Sequence, residues 1–226
     1  MRARFGAFGK MPNLGDFFRS NLPQGFVDAW DAWVQQAMIE AKDDLGEGWQ
    51  ECYMSAPIWR FTLAGGLAGA LPMLGVVMPS VDRVGRQFPL TLAAPLPDDV
   101  SPLLGHFVSG PAFVELEGIS LDALDDATDR EALESRLAGV KLPPLSGDSR
   151  VALGDGVLVQ TRTGAFGPLP ELCATLAGQR FAAPSVWSAD VTGGLRLMVC
   201  EGLPGAGKTT GLFDLAAEIW SGGGAE

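Results

Sequence analysis

Phe61-Thr62-Leu63-Ala64-Gly65-Gly66-Leu67-Ala68-Gly69-Ala70-Leu71-Pro72-Met73-Leu74-Gly75-Val76-Val77-Met78-Pro79-Ser80-Val81 carries no charge over 21 residues. A stretch of that length is long enough to cross a bilayer as one helix. Its punctuation decides against that. Gly65, Gly66, Gly69 and Gly75, with Pro72 and Pro79, break it into two short apolar runs joined by a turn, which reads as a β-hairpin. Gly65 and Gly69 satisfy G-x-x-x-G, but that spacing has meaning only on a continuous apolar helix.

The neighbouring segments extend the same reading. Ile58 to Leu63, Leu74 to Val81 and Gln87 to Ala94 are rich in β-branched and aromatic residues and are joined by short glycine-containing connections, so they are expected as antiparallel neighbours. Upstream, Phe26, Trp30, Trp33, Ala37 and Ala41 recur at spacings of three and four, which predicts a helix over Phe26 to Ala41 with two tryptophans on one face. Downstream, Ser101 to Val140 is helical in pattern. Strands are expected at Val157 to Arg162, at Ser185 to Ser188 as a short one, and at Leu195 to Cys200 as a buried one, and helices at Glu171 to Gln179 and Thr209 to Trp220. Strands bunched together with helices on either side make an α/β sandwich whose central sheet is largely antiparallel. A single domain over residues 1–220 is expected, with a sub-lobe boundary near the Pro/Gly cluster of 141–150 and a fraying tail at 221–226.

Composition narrows the function. The 226 residues hold 16 basic and 27 acidic side chains, a net charge of −11, with no basic run. Nucleic-acid and anionic-membrane binding both need clustered Lys and Arg, so protein partners are expected. With 47% apolar and 19% charged residues, the chain has the makings of a sizeable core. Cys52, Cys173 and Cys200 are far apart and odd in number, which suggests neither a disulfide framework nor a zinc site and fits a reducing, cytoplasmic compartment. The N-terminus has no apolar run of signal-peptide length. His106 lies in an apolar stretch without a nucleophile motif and is read as structural. Between Glu115 and Glu134 eight acidic residues face one arginine, Arg130. That stretch is read as a solvated helix face, or as a docking surface for a basic partner.

One motif points to phosphate. Gly202-Leu203-Pro204-Gly205-Ala206-Gly207-Lys208-Thr209 matches G-x-x-x-x-G-K-[ST], in which glycine amides converge on phosphate oxygens, the lysine supplies charge and the hydroxyl reaches Mg²⁺. Gly202, Gly207, Lys208 and Thr209 are therefore candidate nucleotide ligands. Only 17 residues follow Thr209, so the second carboxylate for the metal would have to come from upstream, from Asp155 or Asp190. Leu203-Pro204 favours extended backbone and weakens a cradle of consecutive amides.

Two other clusters say more. One is Gly9-Lys10-Met11-Pro12-Asn13-Leu14-Gly15-Asp16-Phe17 with Arg19, Leu22-Pro23, Phe26 and Trp30-Asp31-Ala32-Trp33; the other is Pro79-Ser80-Val81-Asp82-Arg83-Val84-Gly85-Arg86-Gln87-Phe88-Pro89-Leu90. Between them lies Ala56-Pro57-Ile58-Trp59-Arg60-Phe61, and Pro184-Ser185-Val186-Trp187 and Gly202-Leu203-Pro204 follow. Together these resemble the TagF family, also called ImpM, accessory proteins of bacterial type VI secretion systems. The Pro-Ser-Val-Asp-Arg-Val-Gly-Arg string is read as having no generic structural explanation. The resemblance implies a three-layer α/β/α fold and a non-enzymatic cytoplasmic regulator. Such a protein represses the apparatus after translation, its partner being the system's forkhead-associated-domain protein. It also makes Gly-Leu-Pro the family's ordinary ending, with Lys208 a departure from the family pattern.

From the residues themselves, Lys10, Asp16 and Arg19 after the first strand, and Asp82, Arg83 and Arg86 in a turn between strands, form a mutually paired network if those ends lie side by side, with Arg60 close by. That network either fixes loop geometry or grips a partner's carboxylate or phosphorylated side chain. No nucleophile, available histidine or metal set accompanies it, so no catalytic residue, metal or cofactor is expected.

Overall fold

Residues 59–63 and 73–78 pair antiparallel, Trp59 opposite Val77 and Leu63 opposite Met73, so the uncharged stretch is a hairpin. Its turn is held by Gly66 N–H donating to the Gly69 carbonyl at 2.8 Å. Gly69 has φ 89°, and a Cβ there would meet the main chain of Gly25 and Phe26 at 3.0 Å. Among the described residues, no helix is long and apolar enough to cross a membrane.

This is a computed structural model, and it describes residues 4–98, 100–125, 127–145, 150–153, 157–161 and 167–221. In chain order the elements are β1 (Gly6–Gly9), β2 (Phe18–Ser20), α1 (Gln24–Leu45), α2 (Trp49–Ser55), β3 (Trp59–Leu63), β4 (Met73–Met78) and β5 (Leu90–Pro95). Then come α3 (Pro102–Val108), α4 (Gly110–Asp122), α5 (Arg130–Gly139), β6 (Arg150–Leu153), β7 (Val157–Gln160), α6 (Pro168–Arg180), β8 (Pro184–Val191), β9 (Gly194–Glu201) and α7 (Thr210–Phe213). Seven strands form one sheet in the order β2-β1-β5-β4-β3-β8-β9, with every neighbouring pair antiparallel, and β6 and β7 form a separate hairpin.

Strand alternation sends each sheet face to its own helical layer. Trp59, Phe61 and Leu63 of β3, with Trp187 and Ala189 of β8, pack against Phe26, Trp30 and Val34 of α1. On the opposite face Leu74, Val76, Leu90, Leu92 and Ala94 meet Phe113, Leu116 and Ile119 of α4 and Leu133 and Leu137 of α5. Farther along that face α6 lays Ala174 on Val186. The result is the expected three-layer α/β/α sandwich. Trp30 is fully buried and centres the first layer: its ring lies 4.7 Å from Phe61, 4.8 Å from Trp33 and 5.5 Å from Phe26, and its Nε1 donates to Thr91 Oγ1 at 2.9 Å.

Several boundaries differ from expectation. The helix predicted over Phe26 to Ala41 runs on to Leu45, where Gly46 at φ 52° ends it. The strand predicted to reach Val81 stops at Met78, ahead of Pro79, and Val81 returns only as an isolated bridge to Gln87. The closing helix over Thr209 to Trp220 is a single turn, α7, followed by a bend and a 3-10 turn at Glu218–Trp220. The cause is Trp220, whose Nε1 donates to the Gly211 carbonyl at 2.9 Å and whose ring stacks on Trp59 at 5.8 Å. A continuous helix would carry residue 220 about 16 Å past residue 209 and break both contacts. α2, β2 and β6 were not foreseen; α2 has seven residues, β2 has three, and β6 borders the breaker cluster. Arg162, Ser146 to Asp148 and residues 222–226 lie outside the described residues.

Candidate functional site

The string Asp82-Arg83-Val84-Gly85-Arg86 is a tight turn between the ends of β4 and β5. Asp82 N–H donates to the Arg86 carbonyl at 3.1 Å, and Gly85 N–H donates to the Asp82 carbonyl at 2.8 Å. Gly85 has φ 82°, a conformation that side-chain-bearing residues rarely adopt. The Asp82 carboxylate organises the loop. Its Oδ1 accepts from Val84 N–H at 3.1 Å and Arg86 N–H at 2.9 Å, and its Oδ2 accepts from Arg86 Nε at 2.6 Å and lies 3.1 Å from Lys10 Nζ. The residue types of this string thus have a structural account after all: an acid to take the amides, a glycine for the left-handed turn, an arginine for the second oxygen.

The turn is clamped to the β1–β2 loop. Arg86 donates to the Gly15 carbonyl at 2.9 Å and Arg83 N–H to the Leu14 carbonyl at 3.1 Å. Lys10 is buried below, its ammonium 5.2 Å from the Phe17 ring centre and 3.4 Å from the Arg86 carbonyl. Behind it Ser80 Oγ donates to the Lys10 carbonyl at 2.8 Å, and the Tyr53 hydroxyl donates to the Ser80 carbonyl at 2.7 Å while accepting from Ser80 N–H. Burial pushes the Tyr53 phenol up, so it stays a neutral donor.

Burial alone would raise the Asp82 carboxyl, but the Arg86 amide, Lys10, the Arg86 guanidinium and the Val84 amide together hold it well below the usual carboxylate range. With all four contacts spent inward, the carboxylate has no lone pair left to take a substrate proton. What the turn offers outward is its rim: the exposed Arg83, Val84 at 71% exposure, and the outer side of Arg86, with Phe17 at 48% alongside on the clamped loop.

The structure brings Lys10, Asp82 and Arg86 together, with Arg83 on the same turn. The other three candidates stand apart. Asp16 is exposed and caps its own neighbour's amide, Phe17 N–H, at 2.7 Å. Arg19 points along the start of α1, donating to Gln24 Oε1 and to the Leu22 carbonyl. Arg60 is on the α4 face of β3, where it forks onto Glu117 at 2.6 and 2.8 Å and reaches Asp190 at 2.6 Å. Strand alternation explains the separation, because Arg60 faces the layer opposite to Trp59 and Phe61. Beneath it His106 is buried between Ser188 Oγ at 2.8 Å and Thr62 Oγ1 at 3.3 Å. Desolvation, with Arg60 adding to it, drives this imidazole down to about 3, so it is neutral in the fold. Ser188 and Tyr53 carry no sequence signal beyond their residue type; Ser80 lies in the family string, Glu117 in the acid-rich stretch, and Asp190 among the metal-carboxylate candidates, but nothing in the sequence gives them these contacts.

The phosphate-loop candidates form no cradle. Gly202 and Gly207 take positive φ, but Lys208 N–H and Thr209 N–H both donate to the Gly205 carbonyl, at 2.9 and 3.2 Å. Thr209 is buried, its hydroxyl turned inward to Glu40 at 3.1 Å, and Trp33 Nε1 holds the Pro204 carbonyl at 3.0 Å. The segment follows an antiparallel edge strand and opens a helix of one turn. Lys208 is exposed. Asp190 is already paired with Arg60, and Asp155 lies outside the described residues.

The fold is therefore a three-layer sandwich on an antiparallel seven-stranded sheet, with a self-saturated Asp82 turn at one end of its central strands. The profile of the TagF N-terminal domain, type VI secretion system-associated, matches residues 6–140. The crystal structure of PA0076 from Pseudomonas aeruginosa PAO1 superposes with a TM-score of 0.76 at 35% identity, over 95% of this chain and 96% of that one. No curated protein matches the sequence. The chain belongs to the TagF family and is a type VI secretion-associated protein.

Proposed function

We propose that the protein restrains the type VI apparatus after translation, in the cytoplasm and without catalysis, by contact with the system's forkhead-associated-domain protein. The observation that carries this reading is the Asp82 turn. Its acid is fully engaged within the fold, so the cluster serves as a rigid mount that presents Arg83 and Val84 to a partner. A preorganised loop costs little entropy to dock, and arginine is enriched among the residues that anchor interfaces.

The test is secretion of the apparatus's tube protein from the native host. Overproduced wild type and Lys208→Ala are expected to silence it, while Arg83→Ala and Val84→Asp release it and lose binding to the purified forkhead-associated-domain protein. Secretion unchanged by wild type sinks the repressor reading; silencing without binding sinks the partner.

A further inference from the structure

Among the described residues β9 ends the sheet and has a neighbour, β8, on one flank only. Among the described residues no hydrogen bond reaches the outer flank of this eight-residue strand. Proteins ordinarily blunt such an edge with a very short strand, a proline or an outward charge. The opposite edge is treated in this way: β2 has three residues, and Arg130 donates to the Arg19 carbonyl at 3.5 Å. β9 is not. It contains no proline, and both its charges fold back onto their own chain: Arg196 lies over the Trp220 ring at 5.7 Å, and Glu201 accepts from the amides of Ala182 and Ala183 at 2.8 and 2.9 Å. The edge displays Leu195 and Leu197 instead, 54% and 45% exposed.

The occupant that fits is the strand itself. An antiparallel pair of β9 strands about a two-fold axis at Leu197 sets Leu197 opposite the partner's Leu197, and Leu195 opposite the partner's Val199, on one face. The match occurs twice by symmetry. Charge distribution permits it. Each chain carries −11, but the acid-rich stretch sits on α4, over β4 and β5, and on α5, whose Arg130 reaches β2, toward the other end of the sheet. Repulsion between the acid-rich stretches of two copies joined at β9 is thus long-range and screened by salt, while the acids beside the edge, Asp190 and Glu201, are held by Arg60 and by the Ala182 and Ala183 amides.

We propose that the β9 edge is a self-association surface, on which a second copy pairs antiparallel through Leu197 and joins two seven-stranded sheets into one. Light scattering on the purified chain is expected to show a dimer that tightens with added salt. Leu197→Lys sets two like charges directly opposite and weakens it by about tenfold or more. In a Cys173→Ser background, Leu197→Cys is expected to oxidise to a disulfide-linked dimer, because directly opposed Cα atoms are about 4.5–5.5 Å apart, within disulfide reach. Leu195→Cys is expected not to. A monomer at all concentrations, a dimer indifferent to Leu197→Lys, or cross-linking at 195 in preference to 197 would each overturn the proposal. Where Leu197→Lys fails to fold, the cysteine pair decides.

Discussion

Asp82 shows how a residue that looks functional can spend its chemistry on local geometry. Asp82→Asn removes the charge that Lys10 and Arg86 face and leaves a buried ammonium without its counter-ion. It is expected to lower the melting temperature clearly, whereas the exposed Arg83→Ala changes stability by no more than about 0.5 kcal/mol, as calorimetry on the two variants checks. The pH dependence has a definite sign. The folded carboxyl is held below its unfolded value, so its contribution is present above the ordinary carboxylate range and is lost as pH falls below it. Asp82→Asn should therefore narrow the gap to wild type in acid. His106 acts in a higher window. It is neutral when folded, at about 3, and titrates near 6.5 when unfolded, so stability is complete above about pH 6.5 and declines below it by about 1.4 kcal/mol per pH unit. Urea midpoints between pH 7.5 and 5.5 should fall for wild type and stay flatter for His106→Gln.

At the scale of elements, the segment from Gly202 to Thr209 separates pattern from context. As a turn packed on α1, it predicts that Lys208→Ala is neutral within about 0.5 kcal/mol. Thr209→Val, which removes one of the two hydrogen bonds on the Glu40 carboxylate and leaves the Gln36 bond, costs about 1 kcal/mol. Denaturant titration of both variants measures this, and Mg-ATP should leave the wild-type melting temperature unmoved. The elements legible in the sequence were those with strong periodicity: the α1 stripe, the β3–β4 hairpin and β5; β8 and β9 were placed, but β8 is twice the expected length and β9, expected buried, is a largely exposed edge strand. Besides the short α2, three were hidden for physical reasons. β2 is too short to carry a period, β6 is exposed along its whole length, and the split of the last helix is imposed by Trp220 reaching back to Gly211 and Trp59. The candidate site was half legible. Asp82, Lys10 and Arg86 meet because two loops adjoin at one sheet end; nothing in Asp16 or Arg19 announces that they face elsewhere, whereas Arg60, between Trp59 and Phe61 on an expected strand, is placed on the other face by alternation. Of the eight acids between Glu115 and Glu134, Glu117, Asp122, Asp129 and Glu134 hold Arg60, Arg136, the start of α5 and Arg130. Glu115, Asp122, Asp125, Asp129 and Glu131 are nonetheless exposed, so the stretch is the solvated face expected, with some of its acids also pairing within the chain.

Across the whole molecule, the segment matched by the family profile stops at residue 140, yet the core does not. Trp187, on β8, is fully buried against Trp30, Trp33 and Phe61. Trp187→Ala is expected to cost about 3–5 kcal/mol, as much as a large truncation inside the matched segment, and urea denaturation checks it. β3 has β4 on one side as an immediate hairpin neighbour, and on the other side β8, which arrives only after three helices, a second hairpin and α6 have intervened. During synthesis on the ribosome, β3 therefore waits with one row of main-chain groups bare and its tryptophan-facing side unroofed. Pairings of such wide sequence separation form slowly. The nascent chain is most exposed to mispairing and to chaperone capture in the interval before Trp187 emerges, and a translational pause placed there would lengthen that hazard.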